Sequence, residues 1–330
     1  MHGSPRTTST AERTGVRRPL RHAAVLAGAL LLVSACSSTH SSNGGTNGGT
    51  GGTDSIGTMT ASSPTPYTVP YGITLNAAIG PVNDALAKLT SAGSVDDLNT
   101  DLATAQQAAT SGSQSLQSAN PPSSVSDANR QLSVALDTLA TNLGAVQTDI
   151  SNSKVCATSS ALAETGAAQG LKDVPTALQS LATGGYTTTF NVPQTPQQQQ
   201  RALDNGSLVR QGANDGSGEL TVDNSGGTVD AVLTLVKGGQ SAYSFYVVKG
   251  QSAKLTGIED GTYDMYFAGG FDWDSSSKKF TESCAYTKFD DSTDFTTTST
   301  TYSTVKITLQ PVVGGNASTS TVPSGSYPVP

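Results

Sequence analysis

Histidine is nearly missing. His2, His22 and His40 are the only three in 330 residues. Beyond residue 40 the chain lacks the imidazole that serves as general base, as metal ligand and as activator of a catalytic Ser or Cys. That excludes Ser-His-Asp and Cys-His mechanisms there. Charge is scarce as well: Asp, Glu, Lys and Arg make up 13% of residues against an ordinary ~25%, and aromatics only 5%. Five of the 18 basic residues and one of the 25 acidic ones precede Cys36, so 24 acidic residues face 13 basic ones from Cys36 onward, a net charge of −11. A body this acidic offers no electrostatic footprint for nucleic acid. Long apolar runs are absent too: residues 23–33 form the longest, at eleven positions, too few to cross a ~30 Å hydrocarbon core as a helix. Cysteine occurs three times and tryptophan once. Two Cys without His do not make an ordinary zinc site, so no catalytic, cofactor or metal set is expected.

What is present begins with a basic segment, Arg6, Arg13, Arg17, Arg18 and Arg21, followed by the 23–33 apolar stretch and closing on Val33-Ser34-Ala35-Cys36. A charged start, a short apolar centre and small boundary residues form the pattern of an export signal. The last four residues resemble the lipobox of bacterial lipoproteins, an aliphatic residue, two small ones and Cys. The resemblance implies cleavage before Cys36 and thioether lipidation of Cys36, with Val33 standing where Leu is commoner. Arg17-Arg18 resembles a twin-arginine pair, although Pro19 and Arg21 depart from that motif, so both export routes stay open. Residues 37–70 are dominated by Ser, Thr, Gly and Asn. Such a segment buries too little to offset its ordering entropy and is expected to be a flexible tether reaching roughly 30 Å. The expected boundaries are a signal peptide at 1–35 and a lipidated, disordered tether at 36–70.

No Phe, Tyr or Trp lies between Tyr71 and Tyr186, and apolar residues there recur at helical spacing. Val82, Leu86 and Leu89 follow Pro81, a residue suited to a first helical turn, with Leu75 and Ile79 behind an expected kink. Ser94-Val95-Asp96-Asp97 reads as a capping box with Asp in place of Glu. Leu98, Leu102, Ala105, Ala109, Gly112 and Leu116 then share one face. Asn120-Pro121-Pro122 breaks the chain. Leu132, Leu136, Leu139, Leu143, Val146 and Ile150 define a third helix. Ala167, Leu171, Val174, Leu178 and Leu181 define a fourth, ended by Gly184-Gly185. Four such segments predict an antiparallel four-helix bundle over 71–185, with a thin seam at Ala105, Ala109 and Gly112.

A Pro/Gln stretch marks a linker over 186–217. From Glu219 the pattern turns to short strands: Leu220 and Val222, then 229–236, 243–248, 254–258, 262–268, 280–289 and 304–309. Thirteen of the 18 aromatics fall between Gly218 and Leu309. An aromatic β-sandwich over 218–310 is expected, with a disordered tail at 311–330. The fold class is thus multidomain α and β, an antiparallel helical bundle followed by an all-β sandwich with disordered ends. Gly218-Glu219-Leu220-Thr221-Val222, Asp230-Ala231-Val232, Gly257-Ile258-Glu259-Asp260-Gly261-Thr262-Tyr263 and Asp272-Trp273-Asp274 with Phe289-Asp290-Asp291 resemble an uncharacterised bacterial β module. The Gly-Ile-x-x-Gly-Thr-Tyr step is similar to surface sandwiches of the PEGA and carboxypeptidase-regulatory type. That resemblance implies binding or spacing rather than catalysis and transfers no functional residue.

Candidate chemistry is sparse. Ser275-Ser276-Ser277-Lys278 and Ser151-Asn152-Ser153-Lys154 carry Ser-x-x-Lys without its companion motifs. Asp272, Asp274, Asp290, Asp291 and Asp294 could gather around Ca²⁺ if strands 267–271 and 280–289 pair, or could be solvated turn carboxylates. Cys156 and Cys284 remain once Cys36 is lipidated; a disulfide between them suits an oxidising exterior, with two free thiols as the alternative. Trp273 lies between Asp272 and Asp274. It reads either as a packing residue or, with both aspartates, as an exposed contact patch for a sugar or partner. The expected protein is a non-enzymatic binding or scaffolding module of the cell envelope. It would be lipid-anchored on the extracytoplasmic face of the cell membrane and would meet an envelope protein or cell-wall glycan, with no cofactor. A sensor or accessory subunit of a membrane complex, or a carboxylate-based hydrolase, are the alternatives.

Overall fold

The computed structural model describes residues 70–310 and 317–330. The signal segment, Cys36 and the tether therefore lie outside the described residues. Helices and strands belong to one compact unit, Thr65–Pro330, of mixed α and β structure with mostly antiparallel sheets.

Five helices come first: α1 (Tyr71–Leu89), α2 (Val95–Gln117), α3 (Ser126–Ser151), α4 (Thr158–Ala167) and α5 (Gly170–Thr183). α1 continues through Pro81, where a first helical turn with a kink behind it was expected. Proline removes the hydrogen bond to the carbonyl four residues back. Here that carbonyl belongs to Ala77, which is exposed along with Pro81, so water can satisfy it. The Ser94 cap forms as expected, its hydroxyl oxygen accepting from the Asp97 N–H at 3.0 Å. The seam is tight: a Cβ added at Gly112 would sit 2.7 Å from the Ala78 carbonyl oxygen. The fourth expected helix forms as α5, with Ala167 alone of its run lying outside it, at the end of α4, a helix that was not expected. Only one leucine, Leu162, marks α4; the rest of its buried face is Ser160, Ala161, Ala163 and Thr165, which carries little apolar signal. Buried hydrophobic residues from all five helices form one cluster, aliphatic apart from Tyr71.

All seven expected strands form, as β2 (Gly218–Asp223), β3 (Asp230–Lys237), β4 (Gln240–Val247), β5 (Ser252–Ile258), β6 (Gly261–Asp274), β7 (Lys279–Phe289) and β9 (Thr304–Thr308). Three three-residue strands add to them: β1 (Leu208–Arg210), β8 (Thr293–Phe295) and β10 (Thr319–Thr321). One sheet runs β1-β4-β3-β6-β7-β10 with β8 also on β6; the other runs β5-β2-β9, its β2–β9 pair parallel. Leu233, Leu235, Phe245 and Tyr263 of the first sheet pack with Leu220, Val222 and Leu255 of the second. Neighbours on the same strands, Val232 and Tyr246, join Trp273 and Phe280 in another cluster. Alternate strand residues face opposite ways, so the large sheet is buried on both faces.

Two expectations need correction. The tail is not free over its described part: β10 pairs with β7, and Tyr327 packs between Tyr286 and Tyr266, with ring centroids at 5.1 and 6.2 Å. Three residues of β10 are too short to show a period, and one tyrosine does the anchoring. Nor is 186–217 a free linker. The Asn83 amide donates to the Thr189 carbonyl and its oxygen accepts from the Asn191 N–H, both at 2.8 Å, and β1 pairs with β4.

Candidate functional site

Most of the residues singled out by sequence lie along β6, β7 and the turn between them, near the corner where the helical half meets residues 281–284 of β7. The chain leaves α3 through Ser153, whose φ of 55° is left-handed, and lays 153–156 along the edge of β7. The Ser283 N–H donates to the Lys154 carbonyl, the Cys284 N–H to the Ser153 carbonyl and the Cys156 N–H to the Thr281 carbonyl, each at 2.9 Å. This segment caps the first part of the β7 edge while β10 pairs with residues 287–289, so an aggregation-prone edge is covered along most of its length. A Cys156–Cys284 disulfide, with Cα atoms 6.3 Å apart, fastens the join.

β7 is bulged here. Gly269 pairs with Ala285 but Phe271 with Glu282, and Ser283 carries a φ of 51°. A bulge re-aims the side chains beside it, in this case Glu282 and Cys284. β6 accommodates the bulge with Gly270, where a Cβ would lie 2.5 Å from the Cβ of Phe280. The four non-glycine residues with positive φ among the described residues are Ser153, Asp272, Lys278 and Ser283. All four flank this corner, and unfavourable backbone of this kind tends to cluster at functional sites.

The Asp272-Trp273-Asp274 patch is not an exposed platform. Of the two readings, packing holds for Trp273; Asp272, with a left-handed φ of 52°, is buried beside it. Trp273 is 2% exposed and packs edge-on against Phe280 and Tyr246, at 5.0 and 6.1 Å between centroids. Asp272 is held by the Arg201 guanidinium through two bonds of 2.8 and 2.7 Å, by the Arg201 backbone N–H at 2.8 Å and by the Thr281 hydroxyl at 2.6 Å. Arg201 above all holds its carboxyl down at about 2. Asp274 caps the Ser276 and Ser277 turn and meets Arg201 at 3.2 Å. Arg201 was invisible as a partner because 71 residues separate it from Asp272.

The other aspartates considered for Ca²⁺ do not converge with these: Asp290 bonds Ser320, and Asp294 bonds Thr262. Among the described residues no group of three His, Cys, Asp or Glu side chains is placed to hold a metal ion. Neither Ser-x-x-Lys pairs a serine with its lysine. Lys278 bonds the Pro330 carbonyl, and Lys154 pairs with Asp149 at 2.8 Å.

Beside the disulfide lies a cleft of about 420 Å³, lined by Asp149 of α3, Lys154, Ser160 and Glu164 of α4, Gln198 and Glu282 of β7. Its carboxyls are pushed apart in acidity. Lys154 holds Asp149 below the ordinary range. Burial raises Glu164, helped by the neighbouring charge of Asp149. Burial raises Glu282, helped by Asp272. The Glu282 Oε1 atom is fully buried with no hydrogen-bond partner. Sequence reasoning missed Asp149, Glu164 and Glu282, which sit apart in the chain in no recognisable motif. The arrangement can hold and release protons; it presents no activated nucleophile.

Comparison with known protein families, with curated proteins and with solved structures finds no match for this chain.

Proposed function

We propose that this chain is an extracytoplasmic lipoprotein, cleaved before Cys36, lipidated there, and presenting a helical bundle and a β-sandwich as a non-enzymatic binding or scaffolding module of the cell envelope. The Cys156–Cys284 disulfide, closing 128 residues of chain, carries this reading. Such bonds persist in oxidising compartments and are rare in the cytosol. With those two cysteines joined, the one left over is Cys36, which stands at the end of the Val-Ser-Ala-Cys stretch. Among the described residues no helix is long and apolar enough to cross a membrane; a lipidated Cys36 would supply attachment. Two acyl chains are expected, since one alone gives marginal binding.

An envelope protein suits the geometry better than a cell-wall glycan as partner. A sugar platform needs an exposed aromatic face, and the Trp273 indole that motivated it is packed inside. The test is Cys36→Ser. The expected result is release from the membrane fraction and loss of the acyl mass from the mature protein. A variant that still sediments with membranes at unchanged mass would overturn the lipoprotein reading. Crosslinking in intact cells then identifies the partner, with capture of a glycan strand in place of a protein refuting the preference above.

A further inference from the structure

The cleft beside the disulfide joins the two halves of Thr65–Pro330 through few bonds: three backbone hydrogen bonds between 153–156 and 281–284, and the Ser160 hydroxyl donating to the Thr281 carbonyl at 2.9 Å. The backbone on both sides is left-handed, at Ser153 and Ser283. Into this join the bulge turns Glu282, which lines the cleft and whose buried Oε1 has no hydrogen-bond partner. A buried carboxylate lacking a partner is costly, and the neutral acid much less so.

We propose that the join is an acid-set clasp: proton uptake by the Glu164 and Glu282 carboxyls closes α4 and the 153–156 segment onto β7, and loss of those protons loosens them while the Cys156–Cys284 bond keeps the halves attached.

Every charged group facing the pair can be placed. From α3, Asp149 is ionised and bonded to Lys154, and its charge favours a proton on the neighbouring Glu164. From β6, Asp272 is ionised against Arg201, and its charge favours a proton on Glu282. Glu282 in turn acts on Glu164. Lys154 opposes the trend at Glu164, but its ammonium is engaged with Asp149 and largely in water. Burial is the larger cause at both carboxyls, and the fixed charges of Asp149 at Glu164 and of Asp272 at Glu282 add to it against the single positive charge of Lys154. A carboxyl with its folded-state pKa raised contributes stability that is complete below its ordinary value of 4.5 and is lost as pH rises through the raised value. Asp149 and Asp272 are lowered, so they stay ionised throughout that window. The clasp needs no membrane anchor.

Amide hydrogen exchange on the full-length, oxidised chain tests it, with rates corrected for intrinsic exchange and followed at Cys156, Ser283 and Cys284 from about pD 4.5 to 8. Protection at these three amides falls severalfold as pD rises, while amides inside β3 stay level. Glu282→Gln and Glu164→Gln mimic the protonated acid and flatten the fall, each in part. Constant protection at these amides in the wild-type chain overturns the clasp without recourse to any variant. A wild-type fall that persists unchanged in both Gln variants overturns it as well, by assigning the titration to other groups.

Discussion

The two halves of the compact unit solve the packing problem with different materials. The helical half buries Leu, Val and Ala, with no aromatic between Tyr71 and Tyr186. It gains its density from close approach, as at Gly112 against the backbone of Ala78. The β half places large rings on both faces of its main sheet, with Phe245, Tyr263 and Phe295 on one side and Tyr246, Trp273 and Phe280 on the other. Aromatic rings bury more area per residue and add directional edge-to-face contacts. A core of many small contacts spreads its stability over many positions, whereas a core of few large rings concentrates it.

That contrast predicts unequal losses. Trp273→Ala removes a ring that is 2% exposed and packed on two others, and is expected to cost about 4 kcal/mol. Leu136→Ala, fully buried among the helices, is expected to cost about 3 kcal/mol, since the neighbouring small side chains can partly close the gap. Urea unfolding of both variants checks the ranking; a larger loss at Leu136 breaks it. The lone indole also reports directly, through blue-shifted emission shielded from soluble quencher. Removing the fastening between the halves comes next. Cys156→Ala with Cys284→Ala is expected to cost about 3 kcal/mol, within the usual range for a native disulfide. It should also separate the unfolding of the two halves in calorimetry, where a single unchanged transition would show that the remaining contacts suffice.

Asp272 sharpens the comparison at the join. With its carboxyl at about 2 against 3.8, the folded state gains stability that is present above pH 3.8 and is lost as pH falls toward 2. Asp272→Asn is expected to cost about 2 kcal/mol at neutral pH, because it leaves half of a hydrogen-bonded ion pair unmatched. The gap between variant and wild type should then narrow as pH drops from 4 to 2. A constant gap over that range, measured by urea titration at each pH, would remove Asp272 from the acid response.

The helices and strands were legible wherever their period was long enough. Leu98 to Leu116 kept one face over five turns, Ser94 announced its cap, and the seven longer strands alternated or ran apolar between turn residues. What escaped was short, small or distant. β1, β8 and β10 have three residues each, below any usable period. α4 buries serine, threonine and alanine in place of leucine. The candidate site depended on pairs far apart in the chain, Arg201 with Asp272 and 153–156 with 281–284, and on a bulge that changes which way Glu282 points. The two cysteines were legible as a candidate pair once Cys36 was set aside for the lipobox, with two free thiols as the alternative. Trp273 was legible as one of two alternatives, and packing is the one the structure takes; the burial of Asp272 beside it was not legible, because it depends on Arg201, 71 residues away.

The smallest effect tests the close-packing claim for the helical half most directly. Alanine exceeds glycine in helix propensity by about 1 kcal/mol, so Gly→Ala inside a helix stabilises unless the added methyl has nowhere to go. At Gly112 of α2 it would meet the Ala78 carbonyl oxygen at 2.7 Å, a backbone atom of α1 that moves only with its helix. Overpacking of this kind costs about 1–3 kcal/mol, so Gly112→Ala should be destabilising by about 1 kcal/mol net. At Gly144 of α3 the added methyl would also come close, 2.6 Å from the Gln106 Nε2, but that atom is the tip of a flexible side chain. Gln106 can swing aside, giving up its 2.8 Å bond from Gln147 in a part-buried position. The propensity gain and the lost bond then nearly cancel, and Gly144→Ala should stay within about 0.5 kcal/mol of wild type. Denaturant midpoints for the two variants decide the matter. Equal behaviour at both sites would mean that α1 and α2 are free to part, and that the helical half is not held by the intimacy of its seam.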